Sequence, residues 1–176
     1  MHTAMNDPSY PDCKHANPFQ MGLEFQDFVC ETLAGDGIIL QNLASKKRQL
    51  ERGENLQGFE IKMDARCTDT RRLSIEIAEK SKADNMQWIP SGIYRTDNTW
   101  LYVQGNYSIL FVFAKNWLVR LYESGKFPFD EKPIGRPTIR TFYLPFDIAR
   151  KWAAKVIDLR AETVTVPLLV EESTMT

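Results

Sequence analysis

The sequence predicts an α+β fold, a mixed and largely antiparallel sheet flanked by helices, on three observations. Residues 20–34 carry apolar side chains at helical spacing. Residues 58–65 and 71–80 alternate aliphatic with charged side chains, the pattern of half-buried strands. Residues 107–114 are apolar at nearly every position, the pattern of a strand covered on both faces.

Taken in order, residues 1–19 contain three prolines and few aliphatics and read as a flexible N-terminal arm. The helix at 20–34 sets Phe25, Phe28, Val29, Thr32 and Leu33 on one side and Glu24, Asp27 and Glu31 on the other. Residues 37–42 read as a first strand, followed by a polar stretch that holds Lys46, Lys47 and Arg48. In the strand at 58–65, Phe59, Ile61 and Met63 share one face while Glu60, Lys62 and Asp64 share the other. In the strand at 71–80, Leu73, Ile75 and Ile77 oppose Ser74, Glu76, Ala78 and Lys80. The short link between these two strands predicts an antiparallel hairpin that buries both aliphatic faces together and presents both acidic faces together. Residues 81–98 read as a loop, and residues 100–104 and 107–114 as a second hairpin. A helix over 115–124 stopped by Gly125, an extended loop over 126–138, a strand over 139–144 and a helix over 145–158 complete the pattern. The expected organisation is an arm over 1–19, a single domain over 20–160 and an acidic tail over 161–176.

The chain has 176 residues, 43% hydrophobic and 26% charged, enough for a real core and incompatible with wholesale disorder. Its apolar runs fall far short of the roughly 18 residues that span a bilayer, and the first thirty residues lack a basic, apolar leader. The expectation is a soluble, cytoplasmic protein. Charge is segregated: residues 42–82 carry ten Lys or Arg against seven acids, and residues 115–160 ten against five, while both ends are acidic. Such segments suit a polyanionic partner, and equally suit solvated faces. A pI near 6.2 argues against indiscriminate coating of DNA. Cys13, Cys30 and Cys67 form no C-x-x-C pair, and His2 and His15 both lie in the arm. Zinc, Ser-His-Asp and Cys-His chemistries are thereby disfavoured, leaving carboxylates and lysines.

Two acidic side chains from neighbouring strands, with lysines a pleat or two away, suit a magnesium or manganese ion bridged to a substrate phosphate. Glu60 and Glu76 are the candidate ligands and catalytic carboxylates, Asp64 an additional ligand, and Lys62 and Lys80 the candidate cations. Ordinary cross-strand Glu–Lys pairing on a solvated face explains the same alternation. Arg71, Arg72, Arg95, Lys46 and Lys47 are candidate phosphate contacts, and Trp88 and Tyr94 are either base-stacking residues or core plugs.

The segments Gly58-Phe59-Glu60-Ile61-Lys62 and Ser74-Ile75-Glu76-Ile77-Ala78-Glu79-Lys80, following a helix that bears Glu24, resemble the PD-(D/E)XK nuclease superfamily over roughly residues 20–115. The resemblance implies a restriction-endonuclease-like αβββαβ core, here with an extra hairpin. It also implies a metal-bound carboxylate pair, Glu60 and Glu76, with Glu24 supporting it from the helix. The family lysine belongs two residues after Glu76, where this chain has Ala78, so Lys80 or Lys62 stands in. The function it implies is metal-dependent hydrolysis of phosphodiester bonds in DNA, with RNA as the next candidate substrate, in a phage, mobile-element or repair setting. A homo-oligomer is expected where both strands of a duplex are cut. The alternative is a catalytically inert nuclease-fold protein that binds nucleic acid or a protein, such as a phage inhibitor or accessory subunit.

Overall fold

The computed structural model describes residues 18–160 apart from 44 and 134–137; the expected arm and acidic tail lie outside the described residues, as do His2, Cys13 and His15. The fold is α+β, built on two four-stranded sheets. Helix α1 (Pro18–Gly35) runs where its periodicity places it, with Phe25, Val29 and Leu33 buried and Glu24, Asp27 and Glu31 exposed. Residues 37–42 form no strand beyond a single bridge between Asn42 and Asn55. The polar stretch after them contains a short helix, α2 (Lys46–Arg52), which ends at Gly53.

Strands β1 (Phe59–Met63), β4 (Leu101–Asn106), β5 (Ile109–Ala114) and β8 (Lys155–Asp158) form the first sheet in the order β1-β4-β5-β8. The β1–β4 pair is parallel and the other two pairs are antiparallel. The β4–β5 hairpin turns at Tyr107 and Ser108, two residues later than expected. Asn106 Oδ1 closes that turn by accepting the backbone N–H groups of Ser108 and Ile109. As the apolar run requires, β5 is covered on both faces. Leu110 and Val112 pack with Phe59, Ile61 and Val103 beneath α1, while Ile109, Phe111 and Phe113 face the second sheet.

That second sheet has the order β3-β2-β7-β6, from β2 (Arg72–Lys80), β3 (Ile89–Pro90), β6 (Phe129–Pro133) and β7 (Thr138–Pro145), all antiparallel. Leu73, Ile75, Ile77, Phe142 and Leu144 face the first sheet, and each fully buried residue of this size contributes roughly 1.5–3 kcal/mol. Helix α4 (Lys115–Glu123) and helix α5 (Phe146–Trp152) close the ends of this core.

Three expectations are corrected here. The strands β1 and β2 do not pair: they belong to different sheets and bury their aliphatic faces in different cores, with the four-residue helix α3 (Cys67–Thr70) between them. Part of the expected loop over 126–138 is β6, which covers the outer edge of β7. The helix expected over 145–158 ends at Trp152, because β5 presents a free edge that Lys155–Asp158 takes up as β8. Val156 and Ile157 then serve opposite cores, which a strand allows. Among the described residues, no helix is long and apolar enough to cross a membrane.

Candidate functional site: a charged cleft between the two sheets

The alternation of β1 that buries Phe59 and Ile61 under α1 turns Glu60 and Lys62 to the reverse face of the sheet. The register sets them beside Tyr102 and Gln104 of β4. Across a cleft of about 450 Å³, β2 contributes Arg72, Ser74 and Glu76. What holds β2 there is the Ser74 backbone. Strand β3 covers only Ala78 and Glu79, so the β2 edge nearer its start lacks a strand neighbour. Asp64 Oδ2 accepts the Ser74 N–H at 2.8 Å, and Gln104 Nε2 donates to the Ser74 carbonyl at 2.6 Å. The acidic faces of β1 and β2 therefore do meet, through sheet-to-sheet docking and not as a hairpin.

Glu54, which the sequence reading missed, joins them from the loop after α2. Asn55 brackets Phe59 with two hydrogen bonds of 2.7 and 2.8 Å, fixing this loop against β1. Glu54 Oε2 then accepts the Ile61 N–H at 2.8 Å, and its Oε1 lies 3.6 Å from Lys62 Nζ. Lys62 Nζ is 3.0 Å from Glu60 Oε1. That contact is a charge pair outside hydrogen-bond geometry, so both Glu60 oxygens are buried without a hydrogen-bond partner. Glu60 is 1% exposed, whereas the Lys62 side chain, 32% exposed, opens onto the cleft.

Burial opposes charging Lys62, but the carboxylates of Glu60, Glu54 and Glu76 outweigh it and hold the ammonium well above its ordinary pKa. Burial pushes the Glu54 carboxyl up, against the pull of Lys62 and the Ile61 N–H. Burial, with Glu60, Glu76 and Glu54 adding, raises the Tyr102 phenol well above its ordinary value. Three acidic side chains, Glu54, Glu60 and Glu76, thus lie around one ammonium. Among the described residues, no three acidic, His or Cys side chains are already clustered to hold a metal ion. The donor set nevertheless fits a hard divalent cation, since magnesium typically takes one or two carboxylates and completes its shell with water and phosphate oxygens. The buried Glu60 carboxyl, whose oxygens have no hydrogen bond besides the charge contact with Lys62, is what such an ion would satisfy.

Of the sequence candidates, Lys62, Asp64, Arg72 and Glu76 line the cleft, and Glu60 lies buried behind it against Lys62. Lys80 is excluded by a β-bulge: Glu76 pairs with Thr141 but Ala78 pairs with Arg140, so one extra β2 residue reverses the alternation. Lys80 turns away, donates to the Ala83 carbonyl at 3.0 Å and lies over the Trp88 ring at 4.6 Å. Gly92, at φ +52, makes the bulge possible, because a Cβ there would collide with the Glu76 carbonyl. Glu24 is also excluded. It sits on the exposed side of α1, which packs on the face of β1 opposite Glu60, and it accepts a hydrogen bond from Gln20 at 3.0 Å.

Arg95 is engaged elsewhere, with Asp97 at 3.1 Å and the Gln49 carbonyl at 2.6 Å. Arg71 is exposed beside the cleft in a left-handed conformation, and Lys47 is exposed on α2; neither lines the cleft. The Lys46 side chain lies outside the described residues. Trp88 carries Arg140 as well as Lys80 against its ring, and Tyr94 packs on Tyr122 and donates to Glu123. The cleft is also lined by Arg66, Tyr102, Gln104 and Tyr143, none of which has a local sequence signal. No protein-family model, curated protein or solved structure matches the chain.

Proposed function

We propose that the chain is a metal-dependent nuclease that hydrolyses phosphodiester bonds, with DNA as the first substrate to test, and that its fold is a restriction-endonuclease-like variant. The observation that carries the reading is the unit Glu60-Ile61-Lys62, an acid and a lysine two residues apart on one strand face, met across the cleft by Glu76. The lysine missing after Glu76 is thus supplied after Glu60, which removes the main argument for an inert protein.

Glu60 and Glu76 would hold magnesium or manganese, with Glu54 and Asp64 beside them. When bound, such an ion polarises a phosphoryl oxygen and lowers the pKa of its water. Lys62 remains charged across the physiological range, so it serves as a fixed cation for charge developing on the phosphate and not as a general base. Tyr102 likewise keeps its proton and is available as a hydrogen-bond donor. Arg66 and Arg72 on the same cleft supply positive charge for the flanking backbone.

The test is a plasmid-nicking assay with magnesium or manganese against a chelator control. Nicking that needs the metal and is lost in Glu76→Gln supports the reading. A parent protein that cuts neither DNA nor RNA under any metal condition would falsify it.

A further inference from the structure

Arg72 is set apart by how it is held. Arg95, Arg140, Arg150 and Arg160 each face a carboxylate. The Arg72 guanidinium instead lies 3.8 Å from the centroid of the Tyr143 ring, on the cleft, with no carboxylate partner among the described residues. The ring is itself anchored, since the Tyr143 hydroxyl donates to Asp130 Oδ2 at 3.1 Å from the neighbouring strand β6. A guanidinium stacked on a fixed ring keeps its planar fork of donors oriented and available, so little side-chain freedom remains to be lost when an anion arrives.

Arg72 and Glu76 stand on the same strand, four residues apart, before the bulge. At the rise of an extended strand that separation is about 13 Å. One strand of a duplex rises about 3.4 Å per step along the axis but winds around it, so consecutive phosphates lie about 6–7 Å apart through space and the separation spans roughly two nucleotides. Resting on the phosphodiester reading of the cleft, we infer that Arg72, positioned by Tyr143, clamps a backbone phosphate about two nucleotides to one side of the phosphate at Glu60 and Glu76. The substrate strand therefore runs along β2, and the chain requires nucleic acid on that side of the reacting bond.

The first experiment uses the full chain in a chelator, so that metal-dependent cleavage cannot intervene, and measures binding of a labelled duplex of about 20 base pairs, roughly two turns, between about 50 and 200 mM salt. Arg72→Ala is expected to weaken binding about five- to tenfold and to flatten the log–log salt slope by about 0.9, the loss of one phosphate contact. Tyr143→Leu should reproduce the effect and Tyr143→Phe, which keeps the ring, should show less of it. Arg120→Ala, on α4 and outside the cleft lining, should leave the slope unchanged. Once the parent's cut is mapped, a neutral methylphosphonate about two linkages away on one side should slow the parent and leave Arg72→Ala unaffected.

An unchanged slope in Arg72→Ala, or a parent that does not bind the duplex even at the lowest salt, overturns the clamp. Cleavage that persists with an unchanged slope keeps the nuclease reading and removes the clamp. A flattened slope in a protein that never cleaves keeps the phosphate site and removes the nuclease reading.

Discussion

Asp97 ties the loop that carries Glu54 to the rest of the molecule, and its removal has a magnitude that the geometry sets. The carboxylate side chain is 1% exposed, accepts the Thr99 N–H at 2.9 Å, and faces Arg95 at 3.1 Å and Lys115 at 3.6 Å. Arg95 in turn donates to the Gln49 carbonyl of α2, and Asn98 Nδ2 donates to the Asn55 carbonyl, so α2 and the Glu54 loop hang on this cluster. Removing one partner of a buried pair costs about 3–5 kcal/mol. Asp97→Asn retains an acceptor for Thr99, and Arg95 is partly solvated, so about 2–3 kcal/mol is the expected loss. For a chain of this length that lowers the melting temperature by roughly 4–12 °C.

The effect has a defined pH dependence. Burial alone would raise the Asp97 pKa, but hydrogen bonding from Thr99 and the charges of Lys115 and Arg95 outweigh it and hold the carboxyl below its ordinary 3.8. A depressed carboxyl pKa contributes stability above the unfolded value and loses it as pH falls through the folded one. The gap between parent and Asp97→Asn should be full at pH 7 and shrink below about pH 4. Melts followed by circular dichroism at pH 7, 5, 4 and 3 measure it. Equal melting temperatures at pH 7, or a gap that stays constant to pH 3, would refute the reasoning.

Three further outcomes follow from the same structure. Lys62→Met should abolish cleavage while Lys80→Ala leaves it unchanged, and the reverse result in a nicking assay would reassign the lysine. Gly92→Ala forces a Cβ onto the Glu76 carbonyl at a left-handed φ. It should destabilise the fold by about 3 kcal/mol or more and displace Glu76, seen as a lower melting temperature together with lost cleavage. Burial, with Asp64 adding, pushes the Cys67 thiol up to about 12. Peptide mapping after alkylation at pH 8 should find Cys67 unlabelled in the native protein and labelled once it is unfolded.

Much of the local structure was legible because it depends on periodicity alone. The stripe Phe25, Val29, Leu33 specifies α1, and the unbroken run from Ile109 specifies a strand buried on both sides. The alternation around Glu60, and that of β2 as far as Glu76, correctly separate the apolar from the charged faces. Neighbours were not legible. Alternation tells which face a strand buries but not which strand lies beside it, so β1 was matched with the next strand in sequence. Its parallel partner, β4, begins only at Leu101. Lys80 was misplaced because the bulge that reverses it is set by Gly92 packing from a distant loop. The helical spacing after Pro145 runs on through Val156 and Ile157, but the open edge of β5 overrides it. Glu54 follows Gly53 in a polar loop and carries no pattern, and it reaches Lys62 through tertiary contacts such as the Asn55 bracket around Phe59.

The central claim is that the carboxylates around Lys62 form a divalent-cation site that cleaves phosphodiesters. Calorimetric titration of magnesium and manganese into the parent and Glu60→Gln, with plasmid nicking by the same preparations, tests it most directly. The account predicts binding and nicking in the parent and the loss of both in the variant, with the fold retained. A variant that binds metal and nicks like the parent, or a parent that does neither, would contradict it.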